Sequence, residues 1–341
     1  MSQRVLVTGG AGYIGSILVD QLLERDYAVF VLDDLSRGHV ESVARGARFV
    51  QGNVGNRELV EALLERERID SVVHLAAFAL VAESVAQPEK YVTNNVTAAR
   101  VLLDAVGRAG VKRFVFSSSC AVYGHPAKVP ITEDTPQRPV NPYGETKRDL
   151  EKLLAEVGPR HGFGVVSLRY FNAAGATPRL GEDHDPETHL IPNVLAVALG
   201  KQAAVNVFGT DYPTPDGTAV RDYVHVVDIA DAHVRALEIS LDGGDNGRAP
   251  VPVAMNLGTG GGHSVQEVVA AAQQVTGKTL KTSLQPRRPG DPPELVAAVD
   301  RAAAVLGWRA SRSSLEEILE SAWRWHRAHP QGYRGREGGG A

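Results

Sequence analysis

The chain of 341 residues contains a single cysteine, Cys120, so it can form neither an internal disulfide nor a cysteine-rich metal centre. Long apolar runs are missing as well. No stretch approaches 18 uninterrupted apolar residues, which excludes a membrane-spanning helix. Charge of one sign is also absent: 36 Lys and Arg against 40 Asp and Glu leave a net charge of −4. Such a balance argues against a surface that coats nucleic-acid phosphates. Met1–Arg4 lead straight into a strand-like run without the apolar core of a secretory signal, so a cytoplasmic location is expected. What is present is ordinary for a folded chain, with 43% hydrophobic and 22% charged residues. The length suits one large domain or two moderate ones.

Short Val-, Leu- and Phe-rich runs at Arg4–Val7, Ala28–Leu32, Arg48–Val50, Ser71–Leu75, Arg113–Ser117 and Val165–Tyr170 read as buried strands. Amphipathic stretches at Gly15–Arg25, Arg57–Arg68 and Ala98–Ala109 separate them, each long enough for a helical crossover. Strand–helix–strand alternation predicts an α/β fold with a doubly wound parallel sheet. After Phe171 the rhythm breaks into Gly-, Pro- and Asp-rich sequence, with helices expected at Ile191–Gly200, Asp228–Ser240, Ser264–Thr276 and Leu315–Arg327 and a strand at Val253–Leu257. The expected organisation is a dinucleotide-binding domain over 1–172 and a smaller mixed substrate lobe over 173–330. The chain is expected to cross back near 220–258 and to end in a disordered Gly-rich tail over 331–341.

The segment VLVTGGAGYIGS sets Gly9, Gly12 and Gly15 between a strand and a helix. That spacing allows a tight turn, a close backbone approach to a pyrophosphate and packing of the helix on the strand. The phosphates would then meet the N–H groups and dipole of the helix N-terminus. Three glycines alone describe only a tight turn. Asp33, 18 residues beyond Gly15 at the end of the second strand, adds the carboxylate that a ribose diol needs. A carboxylate there repels a 2′-phosphate and favours NAD over NADP. Arg37 nearby leaves the phosphorylated cofactor open.

Asn141–Pro142–Tyr143–Gly144–Glu145–Thr146–Lys147 begins another helix, with Asn141 as its cap and Pro142 in the first turn. Tyr143 and Lys147, four apart, share one face. A phenol with pKa near 10 is a poor base, and a neighbouring cation improves it. Tyr-x-x-x-Lys also occurs by chance on exposed helices. Here it is joined by Ser117–Ser118–Ser119, which close a strand at the edge where open α/β sheets bind ligands.

TGGAGYIG, SSSCAVYG and NPYGETK together resemble the extended short-chain dehydrogenase/reductase family. Further segments extend the likeness to its UDP-hexose 4-epimerase branch over nearly the whole chain. They are TNNV at 93–96, RYFNAAGA at 169–176, HLIP at 189–192, the long block FGTDYPTPDGTAVRDYVHVVDIADAH at 208–233, NLGTG at 256–260 and RRPGD at 287–291. The resemblance implies NAD as cofactor and a UDP-sugar as substrate, oxidised at C4 to a 4-keto sugar that rotates and is reduced on its other face. It implies Ser119, Tyr143 and Lys147 as the catalytic group. Tyr143 would act as base, Ser119 would hold the C4 oxygen, and Lys147 would hold the nicotinamide ribose and depress the tyrosine pKa.

Cofactor contacts carry over to Tyr13, Ile14, Asp33, Leu75, Ala76, Ala77, Asn94 and Phe171, besides the three glycines. Asn53 and Val54 stand where the family usually places Asp followed by Ile or Val against the adenine. Ala79 replaces a lysine that some members set near the phosphates. Substrate contacts carry over to Asn172, His189, Leu190, Asn206, Phe208, Arg221, Arg288, Asp291 and Leu295. Arg221 and Arg288 would face the diphosphate and Phe208 the uracil, although each arginine alone could be a surface ion pair. His189 replaces an Asn, and its backbone is expected to serve instead. Leu295 is intermediate in size, which leaves N-acetylated sugars open.

Dehydratases of this family carry an Asp–Glu pair just before the VYG segment, and related decarboxylases a Glu. Cys120 and Ala121 stand there in this chain, so those chemistries are disfavoured. A 4-epimerase of another UDP-sugar and an inactive NAD-binding relative remain as rival readings. Family members commonly pair as homodimers, through helices that would match the stretches near 95–109 and 143–161, although the Ala, Val and Leu there could equally face the core. Glu182–Asp183–His184–Asp185 with His189 fits no compact ligand spacing and reads as a solvated loop, so no metal is expected. Cys120 is expected to be a small buried residue, and His225 and His74 structural histidines.

Overall fold

The short apolar runs form parallel strands β1 (Arg4–Thr8), β2 (Ala28–Asp33), β3 (Arg48–Gln51), β4 (Ser71–His74), β5 (Arg113–Ser119) and β6 (Gly164–Tyr170). The computed structural model describes residues 2–239, 251–288 and 290–336. In it a further strand, Val253–Leu257, joins the same sheet beside β6. The order is Val253–Leu257, β6, β5, β4, β1, β2, β3, with every neighbouring pair parallel. Helices cover both faces, so these strands need no polar alternation: Val5, Leu6 and Val7 are all fully buried.

On one face, α1 (Tyr13–Glu24) packs with the helix Val226–Glu238. On the other lie α2 (Arg57–Arg66) and the helices Ala98–Ala109 and Pro142–His161. The chain winds outward from β1 to β3 and then returns to β4 on the opposite side of β1. A crevice therefore opens between the carboxyl ends of β1 and β4, where such sheets take their ligands.

Beyond β6 the chain builds a second cluster from the helices Leu190–Ala198, Val265–Thr276 and Leu315–Ala328. Small sheets link it to the first. Val205–Phe208 pairs with Thr282–Gln285, and Val220–Arg221 lies between His263–Ser264 and Glu294–Leu295. Asn172–Ala174 pairs with Tyr223–His225. No described helix is long and apolar enough to cross a membrane.

The helix expected at Asp228–Ser240 begins two residues earlier and runs to Glu238; Ser240 lies outside the described residues. Disorder over 331–341 is not what the start of that stretch shows. Gly332–Arg336 forms a turn of 3₁₀ helix, and Tyr333 is buried against Gly181, whose N–H donates to its hydroxyl at 3.1 Å. Tyr333 supplies an aromatic anchor that the surrounding glycines obscure in the sequence. Residues 337–341 lie outside the described residues, as does Pro289 of the RRPGD segment.

Candidate functional site

β1 runs into the glycine loop at the mouth of the crevice. Gly9 has φ +74°, and a Cβ there would lie 2.6 Å from the Ala76 nitrogen. At Gly15 a Cβ would collide with the Gly9 carbonyl oxygen. The two glycines thus let the loop fold against the end of β4, where Leu75 donates to the Thr8 carbonyl. No side chain caps the N-terminus of α1, so its leading N–H groups face the crevice beside Tyr13 and Ile14. The Tyr13 hydroxyl turns the other way and donates to the Gly175 carbonyl at 2.5 Å.

Asp33 closes β2 at this mouth. Its Oδ2 accepts from Ala11 N–H at 3.0 Å and its Oδ1 from Leu35 N–H at 2.9 Å. Burial pushes its pKa up, and these two bonds oppose the shift. Each oxygen keeps a lone pair for a diol hydroxyl. Arg37, the residue that left a 2′-phosphate open, is engaged elsewhere: it pairs with Glu83 at 3.1 Å and donates to the Asp185 carbonyl.

Asn53 lies with Phe78, Lys90 and Asn94 along one cleft of ≈ 740 Å³. Its amide donates to Asp34 at 2.8 Å and its oxygen accepts from Gly55 N–H. Val54 is buried in the neighbouring core. Asn94 stands in a π-helical turn, Val92–Thr97, and donates to Asn95 at 3.1 Å. Asn95 had no sequence signal beyond its neighbour. It is buried, bonds both the N–H and the carbonyl of Phe78 at 2.9 Å, and donates to Thr146 at 3.1 Å. Ala76 and Ala77 are half-buried on the way to Phe78, and Ala79 beyond it is exposed.

Asn141 caps the helix Pro142–His161 by accepting from Gly144 N–H at 2.8 Å, which aims Tyr143 and Lys147 inward. Both are buried, next to Ser119 at the end of β5. Burial raises the Tyr143 phenol to about 12, while its hydrogen bond with Ser119 pulls the other way. Lys147 donates to the Ser117 carbonyl at 2.8 Å, with Nζ 5.7 Å from the Tyr143 ring centre. Burial lowers its pKa to about 7, opposed by Glu151 one turn further on. The expected depression of the phenol by Lys147 is therefore not seen here, because the ammonium rests on Ser117 and is itself desolvated. A phenol at about 12 is a weak base until positive charge enters the crevice.

Phe171 is buried beside Cys120 and Ala297, with Leu295 packed against the same cluster. Cys120 is a buried free thiol whose pKa burial raises to about 12. From the second cluster, Arg221 reaches Asp291 at 3.1 Å, and the Arg288 guanidinium stacks 4.0 Å above the Phe208 ring. Asn172 donates to the Asp222 carbonyl at 3.2 Å, and Asn206 is exposed beside Gln285. Leu190 opens the helix Leu190–Ala198.

His189 does not offer the free backbone expected of it: its N–H donates to Glu187 at 2.7 Å and its carbonyl accepts from Asn193. Nor is 182–189 a purely solvated loop. Ligating atoms of Glu182, His184, Glu187 and His189 all lie within 4.8 Å of one another. Single-letter spacing hid this because the loop's turns, rather than a helix or strand repeat, bring them together. His225, 0% exposed, bonds Ser321 at 3.0 Å, and His74 bonds Thr8 at 2.7 Å; both are structural.

Comparison with known proteins places this geometry among relatives. Residues 5–257 match the NAD dependent epimerase/dehydratase family. A UDP-glucose 4-epimerase of Lacticaseibacillus casei is 46% identical over 331 residues, covering 96% of this chain and 98% of its own. A UDP-glucose 4-epimerase of Brucella ovis, solved in complex with NAD, superposes with TM-score 0.88 at 44% identity, over 94% of this chain and 98% of that one. That of Bifidobacterium longum, solved with NAD⁺ and UDP, gives TM-score 0.90 at 37% identity, over 97% and 100%.

Proposed function

Because this chain belongs to the NAD dependent epimerase/dehydratase family, we propose that it interconverts UDP-glucose and UDP-galactose by transient oxidation at C4 of the sugar. The observation that carries this reading is the convergence of Ser119, Tyr143 and Lys147 at the end of β5, with Cys120 and Ala121 where elimination would need acids. The relatives named UDP-glucose 4-epimerase over nearly their full lengths support it.

The residues fit NAD. The loop at Gly9, Gly12 and Gly15 leaves a cradle that side chains would fill, and Asp33 keeps acceptors for a ribose diol while Arg37 is already paired. Bound there, NAD supplies a reversible hydride acceptor at the sugar C4. Tyr143 takes the proton of the C4 hydroxyl and returns it to the epimer. Ser119 holds the same oxygen in place, which removes much of the orientational cost. Lys147, held at the Ser117 carbonyl, would hold the nicotinamide ribose, and the buried phenol would become acidic enough to cycle in the presence of the positive charge of bound NAD. Arg221, Arg288 and Phe208 receive the UDP moiety, so the sugar can turn over between the two half-reactions while its anchor stays fixed. On the same reading the enzyme is a cytoplasmic homodimer of galactose metabolism, paired through 95–109 and 143–161; elution as a monomer in size-exclusion chromatography would refute the pairing.

The test is incubation of the purified protein with UDP-galactose, with and without added NAD, followed by product separation. UDP-glucose formed without net NADH is the expected outcome. No conversion, with NAD nonetheless bound, would overturn the reading. A parallel arm with UDP-N-acetylgalactosamine reports on the pocket beside Leu295.

A further inference from the structure

The loop between Asn172–Ala174 and the helix Leu190–Ala198 gathers four side chains that take no part in the proton and hydride steps proposed above. Glu182 Oε1 lies 3.1 Å from His184 Nδ1 and 2.7 Å from His189 Nδ1. Glu187 lies 3.0 Å from His189 Nδ1 and 3.8 Å from His184 Nδ1. Two imidazoles and two carboxylates thus face one point. Bond lengths of 2.0–2.2 Å in a tetrahedral zinc site put neighbouring ligand atoms about 3.3 Å apart. The four histidine–carboxylate distances here run from 2.7 to 3.8 Å around that value, and one ligating atom of each residue lies within 4.8 Å of the others.

Burial points the same way. Glu182 is 5% exposed, and its polar partners on this loop are the two histidines. A divalent cation among these side chains would take one lone pair from each of the four. The surroundings are also fixed. The His184 ring meets Tyr13 edge-on, with centroids 6.1 Å apart. The Asp183 carbonyl bonds His39 Nε2 at 2.9 Å, and the Asp183 carboxylate accepts from Tyr333 N–H at 2.9 Å.

We propose that Glu182, His184, Glu187 and His189 form a site for one divalent transition-metal ion, zinc by its two-nitrogen, two-oxygen donor set. The site is structural. It staples the segment beside the glycine loop, through Tyr13, to His189, the N-cap of the helix Leu190–Ala198. It stands independently of the reaction, so a failed epimerase assay leaves it untouched and its own failure leaves the epimerase reading untouched.

The experiment uses untagged full-length protein, stripped with EDTA, dialysed and titrated with zinc chloride by calorimetry. Cobalt(II) substitution is followed by visible absorption. One zinc per chain with sub-micromolar affinity, tetrahedral cobalt bands and a zinc-dependent rise in melting temperature are expected. In His189→Ala the affinity should fall by more than the roughly hundredfold that changes outside a coordination sphere produce. If that variant does not fold, Glu187→Gln on the half-buried flank carries the same readout. Binding that is substoichiometric, or equal in wild type and variants, would overturn the site and mark any metal found as adventitious.

Discussion

Glu151 Oε2 and Arg169 Nη2 lie 2.5 Å apart with both side chains less than a tenth exposed. Ser118 Oγ and Gln137 also donate to the Glu151 carboxylate, at 2.5 and 2.7 Å. Arg169 reaches the Tyr123 hydroxyl at 2.9 Å, which donates to Asn256 at 2.7 Å. One buried network therefore joins β5, β6, the strand Val253–Leu257 and the helix that carries Tyr143 and Lys147. Glu151 is also the charge that keeps the Lys147 pKa from falling further.

Removing one partner of this pair leaves the other charged in an apolar place. Arg169→Met is expected to cost about 3–5 kcal/mol in urea unfolding. The double change Arg169→Met with Glu151→Leu should recover part of the loss, because no charge is then stranded. A single-variant loss below about 1 kcal/mol would mean that the pair is screened like a surface ion pair.

Tyr143→Phe keeps the ring and its packing but removes the proton carrier. Turnover should drop by roughly 10²–10⁴, while NAD extracted from the purified variant matches the wild-type amount. Near-normal turnover would assign the proton to another group.

Asp33→Ala removes the acceptors at the end of β2. Affinity for NAD should fall, and the preference over NADP should shrink in fluorescence titrations. Arg37→Ala, in contrast, should leave that preference nearly unchanged, because Arg37 is committed to Glu83 and Asp185. An unaltered preference in Asp33→Ala would place the ribose elsewhere.

Three buried histidines set an acid limit on stability. Burial lowers His74 to about 3, and His225 and His233 to about 4. Their folded pKa values lie below the unfolded value near 6.5, so the unfolded chain binds more protons in the window between. Stability is full above pH 6.5 and falls as pH drops toward 4, by about 1.4 kcal/mol per pH unit for each histidine. Melting curves from pH 7 to 4.5 should show this decline, and His233→Gln should flatten it. A flat profile over that range would contradict the buried neutral assignment.

Leu295 packs against the cluster that contains Cys120 and Phe171. Leu295→Gly should raise the rate on UDP-N-acetylgalactosamine relative to UDP-galactose, and Leu295→Tyr should lower it, as measured by kcat/KM for each sugar. Equal ratios in both variants would remove Leu295 from the specificity pocket.

Elements whose logic is local were legible in the sequence. The glycine loop, Asp33 and the Tyr143–Lys147 pair each follow from spacings within one strand–turn–helix unit or one helical turn. The sheet strands were legible because burial on both faces imposes unbroken apolar runs. Features that depend on contacts across the chain were not. Asn95 looks like a second copy of Asn94, yet its burial against Phe78 and Thr146 is set by a π-turn that no residue type announces. The Glu151–Arg169 pair joins residues on different elements, and Tyr333 owes its order to Gly181, 152 positions away. The closeness of Glu182, His184, Glu187 and His189 was hidden for a related reason: they sit at irregular intervals, and only the folded loop makes them neighbours.

The strand Val253–Leu257 is one of the two edge strands of the large sheet and the source of Asn256. During synthesis, β6 leaves the ribosome more than eighty residues ahead of it. Until that strand arrives, β6 presents an open edge of unpaired N–H and carbonyl groups, an invitation to sticking between nascent chains. Of the second cluster's helices only Leu190–Ala198 emerges in that interval, and Val265–Thr276 and Leu315–Ala328 follow the strand, so both clusters are completed after it. A fragment ending at 172 should therefore aggregate rather than behave as a free-standing nucleotide binder, and the protein commits to its native form only late in translation.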